Sequence, residues 1–138
     1  MTTVTDVFAI TMALIDELGE RTGEPDAVET RDYQQRAPGI ITALLGELRP
    51  YSAGYSPSPG ARAALPAITG LGDEVPLDDF LCRTVLPCAL ASRLLLDENP
   101  SVAAFYERRY MELLRYGAAP AGSSEPIRDL YGGVGVCQ

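Results

Sequence analysis

The sequence predicts an all-α protein: an antiparallel bundle of about four helices, with a long loop between helices two and three and an extended C-terminal tail. Apolar residues recur at three- and four-residue steps in four separate segments, which is the period of a helix. No run with a period of two is long enough to form a sheet. Two of the three junctions are short, which favours antiparallel neighbours. We therefore divide the chain into a helical domain, residues 1–120, and a tail, residues 121–138.

The first predicted helix spans residues 4–21. Thr3, followed three residues later by Asp6, resembles a capping pair at its start, and the carboxylate suits the positive end of the helix dipole. Gly23 and Pro25 are expected to end it. Its predicted buried stripe consists of Val7, Phe8, Thr11, Leu14, Ile15 and Leu18.

The second predicted helix spans residues 27–48 and contains Pro38. Proline inside a helix costs about 3 kcal/mol, because it removes a hydrogen bond and clashes with the preceding turn. Two interpretations remain open, a kinked helix and a helix that begins near Pro38. The unbroken apolar stripe favours the kink, and it comprises Tyr33, Ala37, Ile40, Ile41, Leu44, Leu45 and Leu48.

A long connection follows, residues 49–76, with five prolines and four glycines. Connections of this length inside a compact domain are usually functional or disordered. Tyr51 and Tyr55 are apolar enough to dock on this domain or on a partner. A loop that a partner orders and a flexible insertion are both open interpretations.

The third predicted helix spans residues 78–98. It is apolar on most sides, which is typical of a central helix. Pro87 is expected to kink it, and Pro100 to end it, because the residue before a proline avoids the helical region. The fourth helix is predicted from Ser101 to Gly117. Its predicted buried residues are Val102, Phe105, Tyr106, Tyr110, Leu113 and Leu114.

The tail has the composition of a linker in its first half and then carries apolar residues among glycines. Apolar residues in a segment that cannot form its own core suggest docking on a neighbour, and a frayed terminus is the alternative. The candidate partner-binding residues of the whole chain are Tyr51, Tyr55, Ile127, Leu130, Tyr131, Gly132, Gly133 and Val134.

Composition argues against several classes of function. With 11 basic and 19 acidic residues the net charge is −8, whereas a protein that grips a duplex shows a basic stripe. Arg108, Arg109 and Arg115 are interpreted as a solvated helix face, paired with Glu107 and Glu112. Charges interrupt every apolar run within about 20 residues, so no membrane span is predicted. The acidic N-terminus lacks the features of a secretory signal, which predicts synthesis in the cytosol.

No catalytic, cofactor or metal site is predicted. The chain contains neither histidine nor lysine, so a Ser-His-Asp triad and a P-loop are impossible. The cluster formed by Asp73, Glu74, Asp78 and Asp79 does not have the spacing of an EF-hand. Asp78 and Asp79 are instead predicted to cap the third helix.

The three cysteines fit a reducing compartment. Cys82 and Cys88 are six residues apart, which on one helix separates their Cα atoms by about 9 Å of rise, more than the roughly 7 Å that a disulfide tolerates. We predict that both are small buried packing residues. The chain has no CxxC motif, which argues against a structural zinc site.

Three motifs resemble the head–tail connector, or adaptor, proteins of tailed bacteriophages. They are the acidic turn DEVPLDD at residues 73–79, LPCALASRLLLDENP at residues 86–100 and the helix FYERRYMELL at residues 105–114. The resemblance implies a small non-enzymatic helical protein of the virion. It would form a homo-oligomeric ring between the portal protein and a stopper or tail-completion protein, with DNA passing through the channel without specific binding.

The same resemblance implies that residues 126–136 dock on the portal, and that the loop at residues 51–66 faces a neighbouring subunit or the next ring. Two alternatives from other classes remain. One is a helical protein-binding or regulatory module of a bacterial cell, and the other is a phage head- or tail-completion protein.

Overall fold

The computed structural model describes residues 1–15, 30–53 and 65–117 and confirms the all-α prediction. A 3₁₀ turn extends α2, and a π-helical turn leads directly into α3. The described residues contain one isolated antiparallel bridge, between Thr3 and Glu74, and no strand. The elements are α1 Val4–Leu14, α2 Arg31–Leu48, the 3₁₀ turn Arg49–Tyr51, the π turn Leu81–Val85, α3 Leu86–Leu94 and α4 Pro100–Gly117.

Hydrogen bonds at one end of the bundle show how the helices alternate in direction. The Thr2 hydroxyl, just before α1, donates to Asp79 over 3.0 Å, and the Ala53 amide, just after α2, donates to Asp78 over 2.9 Å. These two carboxylates precede the π turn. The ring of Phe80 lies against Gly117, the last residue of α4. The start of α1, the end of α2, the residues before α3 and the end of α4 therefore lie together. We call this the 78–80 end of the bundle.

At the opposite end of the bundle lie the end of α1, the start of α2, the end of α3 and the start of α4. The Tyr106 hydroxyl, near the start of α4, donates to the backbone carbonyl of Leu14 at the end of α1. The Tyr33 hydroxyl, near the start of α2, donates to Glu98 just after α3. Successive helices therefore run in opposite directions, as the predicted antiparallel bundle requires.

The α3 helix is central, as its apolar surface predicted, and it packs against α1, α2 and α4. Its cysteine, Cys88, is a buried free thiol, and so is Cys82 in the π turn, which confirms their predicted packing role. Along α3, three leucines spaced four residues apart are completely buried: Leu86, Leu90 and Leu94.

The α1 helix begins with the predicted capping box. The Asp6 amide donates to the Thr3 hydroxyl over 3.3 Å, and the Thr3 amide donates to the Asp6 carboxylate over 2.9 Å. The described helix ends at Leu14, and residues 16–21 of the predicted helix lie outside the described residues. The prediction that Leu14 is buried is wrong, because the core side of α1 is centred on Val4, Val7 and Met12 instead.

The two prolines are accommodated differently. The α2 helix runs without interruption through Pro38, so the alternative of a helix that begins there is wrong. Before Pro87 the chain forms a π turn, in which the Leu86 amide donates to the Leu81 carbonyl, five residues earlier. Such a widened turn gives the proline ring room, because a regular turn would press it against the carbonyl four residues back. The third predicted helix is thus a π turn followed by α3, which ends at Leu94 and not at residue 98.

The α4 helix begins at Pro100, one residue before its predicted start. This position suits a proline, because the first helical amide has no partner within the helix. Tyr110 and Leu114 are buried as predicted, and Val102, Tyr106 and Leu113 pack partly against the core.

The prediction that Phe105 is buried is wrong, since its side chain is 56% exposed. Its ring packs edge-on against the ring of Tyr106, with the centroids 5.2 Å apart. Phe105 therefore lies at the edge of the apolar stripe and is only partly covered.

The described end of the long connection is packed, which corrects the interpretation of the whole segment as an exposed or flexible loop. Ile68, Val75 and Leu77 are buried in the core. The Val75 amide donates to the Thr2 carbonyl over 2.9 Å, and the Ile68 amide donates to the Thr42 hydroxyl over 3.1 Å. These bonds tie the segment to the start of α1 and to α2.

Candidate interaction surface

A concavity, which we call the α4 groove, lies between the 3₁₀ turn after α2 and the outer side of α4. Its volume is about 670 Å³. Clefts that bind small ligands typically measure from about 300 to about 1000 Å³. The groove is therefore large enough to accept side chains of a partner. It is lined by Tyr51, Glu107, Arg108, Met111, Glu112, Leu114, Arg115 and Tyr116.

Large apolar side chains remain exposed along this groove. Met111 is 55% exposed and Tyr116 is 80% exposed, and the Tyr51 ring is also accessible. Isolated apolar residues are normal on a protein surface, whereas a contiguous group with a polar rim is a feature of interaction sites. The chain continues beyond Gly117, directly next to this group. The α4 groove is therefore the best candidate for an association surface within the described residues.

A polar network lies next to the groove and shares Glu107 with its lining. The Arg93 guanidinium of α3 lies between two carboxylates, 2.8 Å from Glu107 on α4 and 3.6 Å from Glu47 on α2. The Tyr110 hydroxyl donates to Glu47 over 3.0 Å, and the Ser92 hydroxyl donates to Glu107 over 3.0 Å. Because three helices contribute to the network, it sets the position of α4 relative to α2 and α3.

Burial raises the pKa of the Tyr110 phenol, and the hydrogen bond to Glu47 raises it further. The phenol therefore stays protonated at neutral pH and continues to donate to the carboxylate. The hydrogen bond joins α4 to α2.

The charges on the rim differ from the predicted pairing. Arg109 pairs with Glu112 over 3.4 Å, three residues along the helix, as expected. Glu107 instead reaches across to α3. Within residues 1–15, 30–53 and 65–117, Arg108 and Arg115 form no ion pair. The lining of the α4 groove therefore combines two arginines that form no ion pair among the described residues with two glutamates, Glu107 and Glu112, that pair with arginines outside the groove.

The acidic cluster at the 78–80 end is used for hydrogen bonding to the chain itself. Asp78 accepts from the Leu81 amide over 3.0 Å, which confirms its predicted role as a helix cap, and its other oxygen accepts from Ala53. Asp79 accepts from the Thr2 hydroxyl, so it ties α1 to the π turn and does not act as the predicted cap.

Asp73 holds the turn that precedes these residues. Its carboxylate accepts from the Thr69 and Gly70 amides over 2.9 and 3.1 Å, and these bonds lower the pKa of Asp73. Within the described ranges, no group of three or more histidine, cysteine, aspartate or glutamate side chains is arranged to hold a metal ion.

A second, shallower concavity of about 390 Å³ lies beside this turn. Met1, Pro66 and Ile68 provide apolar surface, and Asp73 and Glu74 provide the acidic side. Since Asp73 is already occupied by backbone amides, the concavity offers one uncommitted carboxylate, that of Glu74. It has fewer exposed apolar groups than the α4 groove and is the weaker candidate.

Of the sequence-predicted partner-binding residues, the structure describes Tyr51 alone, and the binding role of all of them stays a prediction. Tyr51 lies at the α4 groove, where it can contact a partner. Tyr55 lies outside the described residues, and so do Ile127, Leu130, Tyr131, Gly132, Gly133 and Val134.

The sequence analysis assigned Met111 and Tyr116 to no contact surface, and it interpreted Arg108 and Arg115 only as part of a solvated helix face. A signal was present, because Met111 is an apolar residue that lies off the stripe formed by Tyr110 and Leu114. Apolar residues off the main stripe indicate a second contact surface when no other helix is available to cover them.

Comparison with known proteins does not assign the chain to a family. No protein-family model, no curated protein and no solved structure matches it. None of the described helices combines the length and the apolar character that crossing a membrane requires. What is shown is thus an all-α bundle with an exposed groove.

Proposed function

We propose that this chain is a head–tail connector of a tailed bacteriophage, a structural protein that forms a ring between the portal and the stopper or tail and extends the DNA channel. The proposal rests on the resemblance of residues 73–79, 86–100 and 105–114 to that family. It places the protein in the virion after synthesis in the host cytoplasm. It assigns no chemistry to the chain.

The observation that carries the proposal is the exposed apolar side of α4. Met111 and Tyr116 leave apolar surface uncovered beside Tyr51, in a bundle whose other helices are already packed around α3. A closed ring requires two different surfaces on each subunit that fit each other. The α4 groove would supply one of them.

The charge of the chain supports a channel role. A net charge of −8 repels DNA phosphates, so a duplex slides past such a surface instead of binding to it. Arginines account for all of the positive side-chain charge, and Arg93 is already occupied by two carboxylates. This balance fits passage of DNA without specific binding.

Two segments would reach the partners. Residues 126–136 would dock on the portal, with Ile127, Leu130, Tyr131 and Val134 as the apolar contacts and Gly132 and Gly133 allowing close approach of the backbone. The loop at residues 51–66 starts at Tyr51 beside the α4 groove, from where it would contact the adjacent subunit or the next ring.

The test is binding of the purified full-length chain to the portal ring encoded in the same genome, measured by native mass spectrometry. We expect the chain to bind, and we expect the triple variant Ile127→Ser, Leu130→Ser, Tyr131→Ser to lose binding at least tenfold. The matched control changes polar residues of the same tail, Ser123→Ala and Ser124→Ala, and should bind as the unmodified chain does. Equal binding by both variants would show that the tail is not the portal contact.

The α4 groove also favours a second candidate, a helical protein-binding module of a bacterial cell, because its volume is sufficient to accept side chains of a peptide. The genes on either side discriminate between the two. Portal or capsid genes upstream and tail genes downstream support a phage structural protein, the connector or a completion protein. Metabolic or regulatory genes on both sides would favour the binding module.

A further inference from the structure

The outer side of α4 carries two solvent-accessible rows of side chains, in which neighbours are four residues apart. One row consists of Glu107, Met111 and Arg115. The other row contains Arg108 and Glu112. Residues four apart on a helix are neighbours on the same side. All five line the α4 groove, and the apolar side chain at their centre, Met111, is 55% exposed.

The order of these groups along α4 is complementary to its own reversal. From the start of the helix it is acid, base, methionine, acid, base, and from the end it is base, acid, methionine, base, acid. A second, antiparallel α4 centred near Met111 would place its Arg115 opposite Glu107. It would also place its Glu112 opposite Arg108. The centres of these two pairings differ by one residue, about 1.5 Å along the axis, so a single register serves both.

Two exposed aromatic side chains fit the same register. Phe105 is 56% exposed and Tyr116 is 80% exposed. They are eleven residues apart, about three helical turns, so they stand on the same side of α4. In an antiparallel pair centred near Met111, Phe105 of each copy lies opposite Tyr116 of the other. Aromatic pairs contribute more than the apolar area that they bury, and this contact would cover both rings.

The ion pairs within one molecule leave the acidic and basic groups available for such a contact. Arg108 and Arg115 form no ion pair among the described residues. Glu107 uses Oε2 for its bonds to α3, and Glu112 uses Oε2 for its pair within α4. A carboxylate has two acceptor oxygens, so each glutamate can accept from an additional arginine.

We infer that α4 is a self-association surface, on which a second copy of this chain docks antiparallel across a two-fold axis near Met111. Every opposing pair then occurs twice, once on each side of the axis, as a two-fold contact requires. Because such a contact pairs one surface with itself and does not close a ring, the dimer goes beyond the proposed function. It is a form of the chain before assembly, and the two copies would separate when the α4 groove contacts a neighbour in the ring.

The test is sedimentation equilibrium of the purified full-length chain without a partner, between about 1 μM and about 1 mM. Salt at about 0.15 M screens the repulsion between two copies of net charge −8, since the Debye length is then about 8 Å. We expect a reversible equilibrium between the 14.8 kDa chain and its dimer. A chain that stays monomeric over the whole range would overturn the inference, and so would larger assemblies in place of a dimer.

Charge exchange identifies the surface. Arg108→Glu and Glu112→Arg should each weaken dimerisation at least tenfold, because each variant places like charges opposite one another twice. An equal mixture of the two variants should restore the dimer, since every glutamate at these positions then faces an arginine of the other chain. The matched control, Arg31→Glu at the start of α2, should dimerise as the unmodified chain does. A mixture that stays monomeric would overturn the antiparallel register, and single variants that dimerise normally would overturn the surface.

Met111→Glu provides a second measurement, because it places two carboxylates opposite each other at the axis. It should weaken dimerisation at least tenfold while the circular-dichroism signal of the helices stays unchanged, since the side chain is exposed. Leu96→Glu makes the same change at a side chain that is 58% exposed, away from α4, and should leave the dimer intact. A dimer that persists in Met111→Glu would overturn the inference.

Portal binding is measured independently, with the tail variants described above. A monomeric chain that binds the portal keeps the proposed function and loses the dimer. A dimeric chain that fails to bind the portal keeps the dimer and loses the proposed function.

Discussion

The central position of α3 predicts a large loss of stability when Leu90 is truncated to alanine. Leu90 is 0% exposed and belongs to α3, the central helix, which packs against α1, α2 and α4. Truncating a fully buried leucine costs about 2–5 kcal/mol, the sum of the lost transfer free energy and the cavity left behind. Because helices surround this position, the cavity has little freedom to collapse, and we expect about 3–4 kcal/mol.

The matched control is Leu96→Ala, the same substitution at a side chain that is 58% exposed, just beyond α3. Surface substitutions usually change stability by less than about 0.5 kcal/mol. Urea unfolding followed by circular dichroism measures both variants. With an m-value of about 1.5 kcal/mol per M, the Leu90 variant should lose about 2 M in its midpoint and the Leu96 variant less than about 0.4 M.

A small effect at Leu90 would refute the reasoning. If Leu90→Ala and Leu96→Ala shifted the midpoint equally, α3 would not be the central helix. Should Leu90→Ala fail to fold at all, Leu90→Met provides the second measurement, since a substitution that conserves volume usually costs less than about 1.5 kcal/mol. A folded Leu90→Met variant beside an unfolded Leu90→Ala variant would support the central position.

Three further predictions follow from individual contacts. Hydrogen bonds at the α1 cap lower the pKa of Asp6 in the folded state, so its contribution is complete above the unfolded pKa of about 3.9 and is lost as pH falls through the lower folded value. Asp6→Asn should therefore reduce stability at pH 7 and flatten the acid side of the stability curve, measured by thermal unfolding between pH 2 and 7. Burial raises the pKa of Cys82 to about 11 and also raises that of Cys88. Both thiols should react with a thiol reagent at pH 8 only after unfolding, and rapid modification of Cys82 or Cys88 in the native protein, located by peptide mass spectrometry, would contradict their burial. Tyr110→Phe removes the hydrogen bond to Glu47 and should cost about 0.5–1.5 kcal/mol in urea unfolding. No loss would mean that the bond does not contribute to joining α2 and α4.

The features of the fold that depend on nearby residues could be predicted from the sequence. The Thr3 and Asp6 capping box was predictable, because its partners are three residues apart and need no tertiary contact. The central place of α3 was also predictable, since apolar residues on most of its sides have to be covered. The persistence of α2 through Pro38 followed from its continuous apolar stripe.

Features that depend on packing between distant segments were not predictable in the same way. The strain at Pro87 is relieved by a π turn before it, and the sequence pattern does not distinguish this from a kink. Leu14 and Phe105 lie at the edges of their stripes, where exposure depends on how far the next helix extends. Ile68 and Val75 are buried in a segment that hydrogen bonds to Thr2 and to Thr42 of α2, contacts that no local motif indicates.

The candidate surface shows the same division. Tyr51 could be identified because a tyrosine in a proline- and glycine-rich connection has no helical stripe to join. Met111 gave only a partial signal, as an apolar residue off the main stripe, because the sequence does not show whether another helix covers it. Tyr116 gave no such signal. Arg108 forms no ion pair among the described residues because Glu107, its predicted partner, pairs with Arg93 of α3. The sequence alone does not show this.

Electron microscopy of the full-length chain mixed with the portal ring tests the proposed function most directly. The account predicts a second closed ring of additional density stacked coaxially on the portal, with a continuous channel through both. It also predicts that the Ile127→Ser, Leu130→Ser, Tyr131→Ser variant leaves the portal bare. Portal particles that stay unchanged in the presence of excess chain, with the chain monomeric in solution, would contradict the connector assignment.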